Sequence, residues 1–379
     1  MVDSQHDRSV GRNRRLSVQI NFPEIQAETQ AGERSENKIQ HNPALNGLTK
    51  VYIPHHLECL LSGFCTFAAV KHRYLIVIAG CTGVGKTRLA LQVAKHFRTA
   101  IVSADSRQIY REMSIGVARP SSAELELVPH YMIGSHSILQ PFDVVQYELE
   151  VLKILEQLYR DHDVVVMAGG TGLYLKAVLD GMDPLPPNDP ATLETLQALF
   201  NLQGIEPLQE ELMRRDPSAA KAMDVKNPRR LLRALCVMRQ TGKPISEFWQ
   251  GAPVKRTFIP VPVWLRLDRQ ALHQRINQRV GQMMEAGLLG EVSGLMPFRG
   301  SQALETVGYQ ELFEYLEGNS TLEEAVDWIK VHTRQYAKRQ ETWFRKYFKG
   351  PDFSPDATAE IMAYLTQTIQ NHEKIHLEP

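Results

Sequence analysis

The chain has 379 residues, and its 43 Lys plus Arg are balanced by 43 Asp plus Glu. Hydrophobic residues at 43% and charged residues at 23% exclude a wholly disordered chain, and the length fits two or three domains or one large domain with appendages. A net charge of zero argues against nucleic acid as a partner, unless the positive charge is locally concentrated.

Asp3 and Asp7 precede any apolar run, so no secretory signal is expected. Residues 1 to about 50 are rich in Ser, Gln, Asn, Glu and Arg without a sustained apolar period. Residues 51–70 could form a short helix, and 1–72 as a whole read as a disordered extension. Apolar runs at Tyr74–Ala79, Ala100–Ala104, Val164–Ala168 and Pro262–Leu267 read as buried parallel strands. Helical patterns at Thr87–Phe97 and Asp143–Arg160 alternate with them, which predicts an α/β fold with a parallel sheet. The first part of this core spans 73–183, and the Pro-rich stretch Asp183–Pro190 then reads as a rigid linker. Residues 184–240 form a helical insertion, 241–350 return to the core and add C-terminal helices, and 351–379 read as a tail. No apolar run is long enough to span a bilayer, which needs roughly 20 residues. Cys59, Cys65, Cys81 and Cys236 lack metal-ligand spacing, and their scatter fits a reducing, cytoplasmic setting.

Three loops carry the chemistry. Gly80-Cys81-Thr82-Gly83-Val84-Gly85-Lys86-Thr87 fits G-x-x-x-x-G-K-[ST] between a predicted strand and helix, the context of a P-loop. Its N–H groups can cradle phosphate, Lys86 can add a charge and Thr87 can hold Mg²⁺. The default chemistry of such a loop is phosphoryl transfer from a nucleotide such as ATP. The strand Val164–Ala168, however, runs into Gly169 and Gly170 with no acid at its end. The strand Ala100–Ala104 does end in an acid, Asp105, on the edge where α/β sheets bind ligands. Asp105 can serve as general base or metal ligand, or simply cap a following helix. Gly169-Gly170-Thr171-Gly172 supplies a third loop at that edge, either a ligand loop or a plain turn.

With these loops in view, the chain resembles the tRNA dimethylallyltransferase (IPP transferase) family over about residues 74–348. The supporting marks are Ser103-Ala104-Asp105-Ser106-Arg107-Gln108-Ile109-Tyr110, Gly169–Leu175, Asn227–Leu235, Thr241-Gly242-Lys243, Arg275-Ile276, Arg279-Val280, Met283, Gly287-Leu288, Val307–Glu311, Thr333–Gln340 and Thr342–Arg345. The resemblance implies a P-loop NTPase-like core that binds dimethylallyl diphosphate with Mg²⁺ and hydrolyses no nucleotide. It implies that Asp105 takes a proton from N6 of adenosine 37 in tRNAs reading codons that begin with U. Thr171 and Gln108 would place the base, and Arg279 would stabilise the leaving diphosphate. Contacts to tRNA are expected from Asp105, Ser106, Arg107, Gln108, Thr171, Arg229, Arg230, Arg233, Arg334, Lys338 and Arg339. A monomer is expected.

Charge distribution supports RNA independently. Arg and Lys crowd 213–243, opposed there only by Asp216 and Asp224, and crowd 332–349 among Tyr336, Trp343, Phe344, Tyr347 and Phe348. Three departures from the family pattern stand out. Pro129-His130-Tyr131 replaces Pro-His-His, Leu193 stands where bacterial relatives can have an arginine, and no Cys follows Cys236 to build the zinc finger of eukaryotic cytosolic relatives. Competing readings are an adenylate isopentenyltransferase, a small-molecule P-loop kinase and a non-catalytic RNA-binding protein.

Overall fold

The computed structural model describes residues 72–249 and 251–375. The expected N-terminal extension, apart from His72, lies outside the described residues, as do Cys59 and Cys65. In chain order the core begins with β1 (Tyr74–Gly80), α1 (Lys86–Phe97), β2 (Ile101–Ser103), α2 (Ser122–Leu127), β3 (His130–Tyr131), α3 (Val144–Leu158), β4 (Val164–Gly169) and α4 (Gly172–Asp180). Four helices follow without a strand: α5 (Pro190–Gln203), α6 (Glu206–Arg215), α7 (Pro217–Ala222) and α8 (Pro228–Thr241). The core resumes with β5 (Ile259–Leu265), α9 (Arg269–Glu285), α10 (Leu288–Gly294), α11 (Tyr309–Leu316), α12 (Leu322–Tyr347), β6 (Asp352–Phe353) and α13 (Thr358–Ile375). Among the described residues no helix is long and apolar enough to cross a membrane.

The strands form one parallel sheet in the order β3-β2-β4-β1-β5-β6. Every residue of β1 is buried, as a central parallel strand covered on both faces requires. Its side chains alternate between two cores. Leu75, Val77 and Ala79 pack in one with Tyr147 and Val151 of α3 and Phe344 of α12. Tyr74, Ile76 and Ile78 pack in the other with Leu89 and Val93 of α1 and Ile361 and Leu365 of α13. The four insertion helices bury a third core of their own, built on Leu196, Leu208, Leu212, Leu231 and Leu235.

The apolar run read from sequence starts the strand before α9 at Pro262. The strand starts earlier, at Ile259. Ile259 N–H donates to Arg73 O on the β1 side and Trp264 N–H donates to Pro351 O on the other. Parity therefore turns Pro260 and Pro262 away from β1, where no ladder bond is forfeited. The two-residue strands β3 and β6 are too short to show a period in sequence.

The segment read as a tail is built into the fold as far as Ile375. β6 extends the sheet through Trp264–Asp352 and Leu265–Phe353, and α13 buries Ile361, Leu365 and Ile369. Burying each such side chain contributes about 1.5–3 kcal/mol, so together they rival the whole net stability of a typical domain, about 5–15 kcal/mol. A chain ending at Gly350 is therefore expected to lose its cooperative melt. A circular-dichroism transition matching the full chain would contradict this.

Candidate active site

In the sheet order, β2, β4 and β1 are neighbours, with Ser103 opposite Ala168 and Gly169 opposite Ala79. The loops after them leave the same edge side by side. A cavity of ≈ 1010 Å³ opens there, lined from one side by Thr82, Gly83, Gly85, Lys86 and Thr87 and from another by Asp105, Ser106, Arg107 and Gln108.

The loop from Gly80 to Thr87 turns on Gly85, whose φ of 112° precedes α1 and is a conformation that other residues rarely adopt. Among the described residues the N–H groups of Gly83, Gly85, Lys86 and Thr87 donate to no backbone acceptor. They sit at the head of α1, where the helix end favours an anion. The Lys86 ammonium folds back to donate to Cys81 O (2.8 Å). Burial lowers its pKa to about 8, opposed by the charge of Asp105 and assisted by that of Arg279. Val84 is buried inside the loop. Cys81 is buried too, and its thiol donates to Ala337 O (3.3 Å). Burial, with Glu341 beside it, pushes that thiol up to about 12, so it is an inert packing group.

Arg279 on α9 lines the cavity and has no hydrogen-bond or ion-pair partner among the described residues. Burial lowers its pKa and Asp105 counters that. Arg275, one turn earlier, is tied down: it donates to Val84 O (3.1 Å) and pairs with Asp356 (3.5 Å). Asp356 also holds Arg88 of α1 at 2.6 Å. The segment after β6 thus braces the phosphate loop, a role that no local pattern in 351–379 announces.

Asp105 uses one carboxylate oxygen as a cap and lines the cavity as well. Its Oδ1 accepts the N–H groups of Arg107 (2.9 Å) and Gln108 (3.3 Å), capping a turn and not the helix anticipated there. Its Oδ2 accepts from no protein donor among the described residues. Thr171 sits behind this turn. Its hydroxyl accepts the Ser106 N–H (3.0 Å) and donates to Ser106 Oγ (3.3 Å), and Thr171 itself does not line the cavity. Gly172 makes room for α12: a Cβ there would lie 2.3 Å from the Trp343 ring.

Several residues assigned to tRNA are engaged inside the protein. Both amide hydrogens of Gln108 go to carbonyls, Val117 O (3.2 Å) and Ala118 O (3.0 Å), and its oxygen accepts from Ser103 (3.2 Å). Its side chain shapes the cavity wall; it offers no free amide to a base. Arg107 reaches Gln302 O (3.3 Å) and Glu305 O (3.2 Å). Arg233 holds the linker through Asn188 and Pro186 O (2.8 Å). Arg334 donates to Asn277 on α9 (2.7 Å). Arg215 and Arg239 share Glu211, which cancels part of the positive stretch in the insertion.

Others stay available. Arg229 stands at the cavity rim, paired with Glu305 at 2.9 Å but 83% exposed. Arg230 and Lys338 are exposed off the cavity, and Arg339 is exposed on it, 5.9 Å from the Tyr336 ring centroid. Tyr336, one of the aromatics interleaved with the basic run 332–349, lines the cavity as well. Burial and then Asp105 push its hydroxyl up to about 12, while Thr171 opposes them. The departures are structural. His130 and Tyr131 form the edge strand β3, and Leu193 packs on the core of the insertion.

Comparison with known proteins adds to this geometry. A model of the IPP transferase family matches residues 108–347. The tRNA dimethylallyltransferase of Cytophaga hutchinsonii is 43% identical over 299 residues, covering 79% of this chain and 98% of the relative. The tRNA dimethylallyltransferase 1 of Phocaeicola vulgatus is 43% identical over 291 residues, covering 77% and 97%. Among solved structures, the full-length tRNA isopentenylpyrophosphate transferase of Bacillus halodurans superposes with a TM-score of 0.59 at 33% identity, covering 80% of this chain and 98% of that one. A eukaryotic dimethylallyltransferase acting on tRNA shares the fold, with a TM-score of 0.67 at 24% identity over 81% and 80%.

Proposed function

Because the chain belongs to the IPP transferase family, we propose that it moves the dimethylallyl group of dimethylallyl diphosphate onto N6 of adenosine 37 in tRNA. The carrying observation is that Lys86, Arg279 and Asp105 converge on one cavity at the mouth of a phosphate loop. Two cations stand where a departing diphosphate gathers charge, and a carboxylate oxygen without a protein partner faces them.

The reaction breaks the bond between the allylic carbon and the diphosphate oxygen and forms one between that carbon and N6. Lys86 and Arg279 hold the departing diphosphate in a partly dry site, where fixed charges act most strongly. Asp105 takes the N6 proton as the C–N bond forms, so the alkylated nitrogen ends uncharged. The base reaches this depth only by leaving its stack. Tyr336 and Arg339 border the path, and both offer flat faces to a base.

Mg²⁺ fits the donors present. It takes hard oxygen ligands, often one or two from protein and the rest from phosphates and water. The Thr87 hydroxyl and Asp105 line the same cavity, and among the described residues no cluster of three or more metal-ligating side chains exists to form a separate cage. Held there with the donor, the ion would neutralise further charge on the diphosphate.

The kinase reading is disfavoured by β4, the strand beside β1, which ends in Gly169 without an acid for a nucleotide-bound metal. Paired incubations separate the readings. Carbon label from dimethylallyl diphosphate is expected to enter tRNA, and terminal phosphate label from ATP to enter nothing. The reverse outcome would establish the kinase. The cytoplasm as the setting and a monomer as the working form complete the proposal.

A further inference from the structure

One side chain holds two loops of the site together, and it comes from a third element. Gln340 lies on α12 and is 8% exposed. Its Oε1 accepts the Thr82 N–H (2.9 Å), and its Nε2 donates to Gly170 O (2.8 Å). The amide therefore bridges the phosphate loop after β1 and the loop after β4 that carries Thr171. Space around it is tight: a Cβ on Gly170 would lie 2.5 Å from Gln340 Nε2 and 3.4 Å from Lys86 Nζ. The amide, the Gly170 backbone and the Lys86 ammonium are thus mutually packed.

The bridge has a second effect. Backbone N–H groups are the phosphate ligands of such a loop. Gln340 withdraws that of Thr82, while those of Gly83, Gly85, Lys86 and Thr87 stay open. The cradle is shortened on the Thr82 side. Neighbouring contacts of α12 with the same loops, Cys81 to Ala337 O and Gly172 against Trp343, do not consume a phosphate-binding N–H.

We propose that Gln340 is a positioning residue for prenyl transfer: its amide fixes the phosphate loop against the Thr171 loop and restricts the cradle to a diphosphate. This rests on the function proposed above. Gln340→Met keeps length and bulk and removes both bonds. In steady-state assays with each substrate varied, the KM for dimethylallyl diphosphate is expected to rise about 5–50-fold, the worth of two modest hydrogen bonds. The KM for tRNA should stay within about twofold, since the affected backbone faces the donor. Inhibition by inorganic triphosphate relative to inorganic diphosphate should strengthen, because the Thr82 N–H is released.

A purely structural residue would lower the active fraction and leave both KM values and the inhibitor ratio unchanged; that result overturns the proposal, as does an equal rise in both KM values. If Gln340→Met does not fold, Gln340→Asn decides, since its shorter amide can reach only one partner and should give the same pattern at smaller size. Wild-type protein in the same assay separates this from failure of the functional reading. No transfer by wild type refutes the reading, and transfer by wild type with an unmoved donor KM in the variant refutes the role of Gln340.

Discussion

Asp105→Asn is expected to lower prenyl transfer by about 10²–10⁴-fold, the usual worth of a positioned general base, while tRNA binding stays close to wild type. Asparagine is the informative change. The carboxylate caps the turn through Oδ1, which accepts from Arg107 and Gln108 N–H, and an amide oxygen can keep those bonds. Only the capacity to take a proton is lost. Asp105→Ala removes the cap as well, so its deficit should be at least as large, with some loss of order in the wall formed by Ser106–Gln108. Filter binding of tRNA alongside single-turnover transfer separates the two effects. Turnover within a few-fold of wild type in the asparagine variant would remove Asp105 from the chemistry.

Replacing Lys86 should have a comparable effect through the other half of the reaction. Losing one preorganised charge from a developing anion typically costs about 10²–10³ in rate, so Lys86→Met is expected to fall in that range and to bind inorganic diphosphate less well. The ammonium also predicts a pH dependence. Burial lowers Lys86 from its ordinary 10.5 to about 8 in the folded protein. The unfolded chain therefore binds more protons between those values. The penalty for burying the charge is borne in full below about pH 8 and fades as pH climbs toward 10.5, so stability contributed at Lys86 rises across that window. Donor capture runs the opposite way. The value of kcat/KM for dimethylallyl diphosphate should be level below about 8 and fall above it, because this ratio reports the free enzyme. A bound diphosphate restores the proton, so kcat should fall only at higher pH. A kcat/KM profile flat well above the Lys86 value would show that the lysine charge is dispensable for capture.

The parts of the site that were legible in the sequence share one property: each is a contiguous loop whose chemistry depends on its own residues. The run Gly80–Thr87 needs its glycines and lysine in order, and Asp105 follows a buried strand directly. Residues joined by the fold were not legible. Gln340 stands in a stretch that carries the family resemblance, yet its role depends on where α12 crosses β1 and β4. Asp356 reads as part of a polar tail until β6 places it beside Arg88 and Arg275. Positive charge misled in the other direction. A count of arginines does not say where they point, and Arg233, Arg215 and Arg239 are turned to Asn188 and Glu211. The zero net charge at the outset is consistent with this. Much of the basic content is paired locally, and of the cations that line the cavity, which also include Arg107, Arg119, Arg229, Arg275 and Arg339, Lys86 and Arg279 flank the phosphate loop without an ion-pair partner among the described residues.

The central claim is that one cavity joins an allylic diphosphate to an adenine amine. It is tested most directly by incubating the purified protein with dimethylallyl diphosphate, Mg²⁺ and unmodified tRNA, then digesting the RNA and identifying its nucleosides by mass. The account predicts N6-dimethylallyladenosine at position 37, released diphosphate in equal amount, and both products formed about 10²–10⁴-fold more slowly with Asp105→Asn. An unmodified adenosine 37, under conditions where an established tRNA dimethylallyltransferase modifies the same RNA, would contradict it.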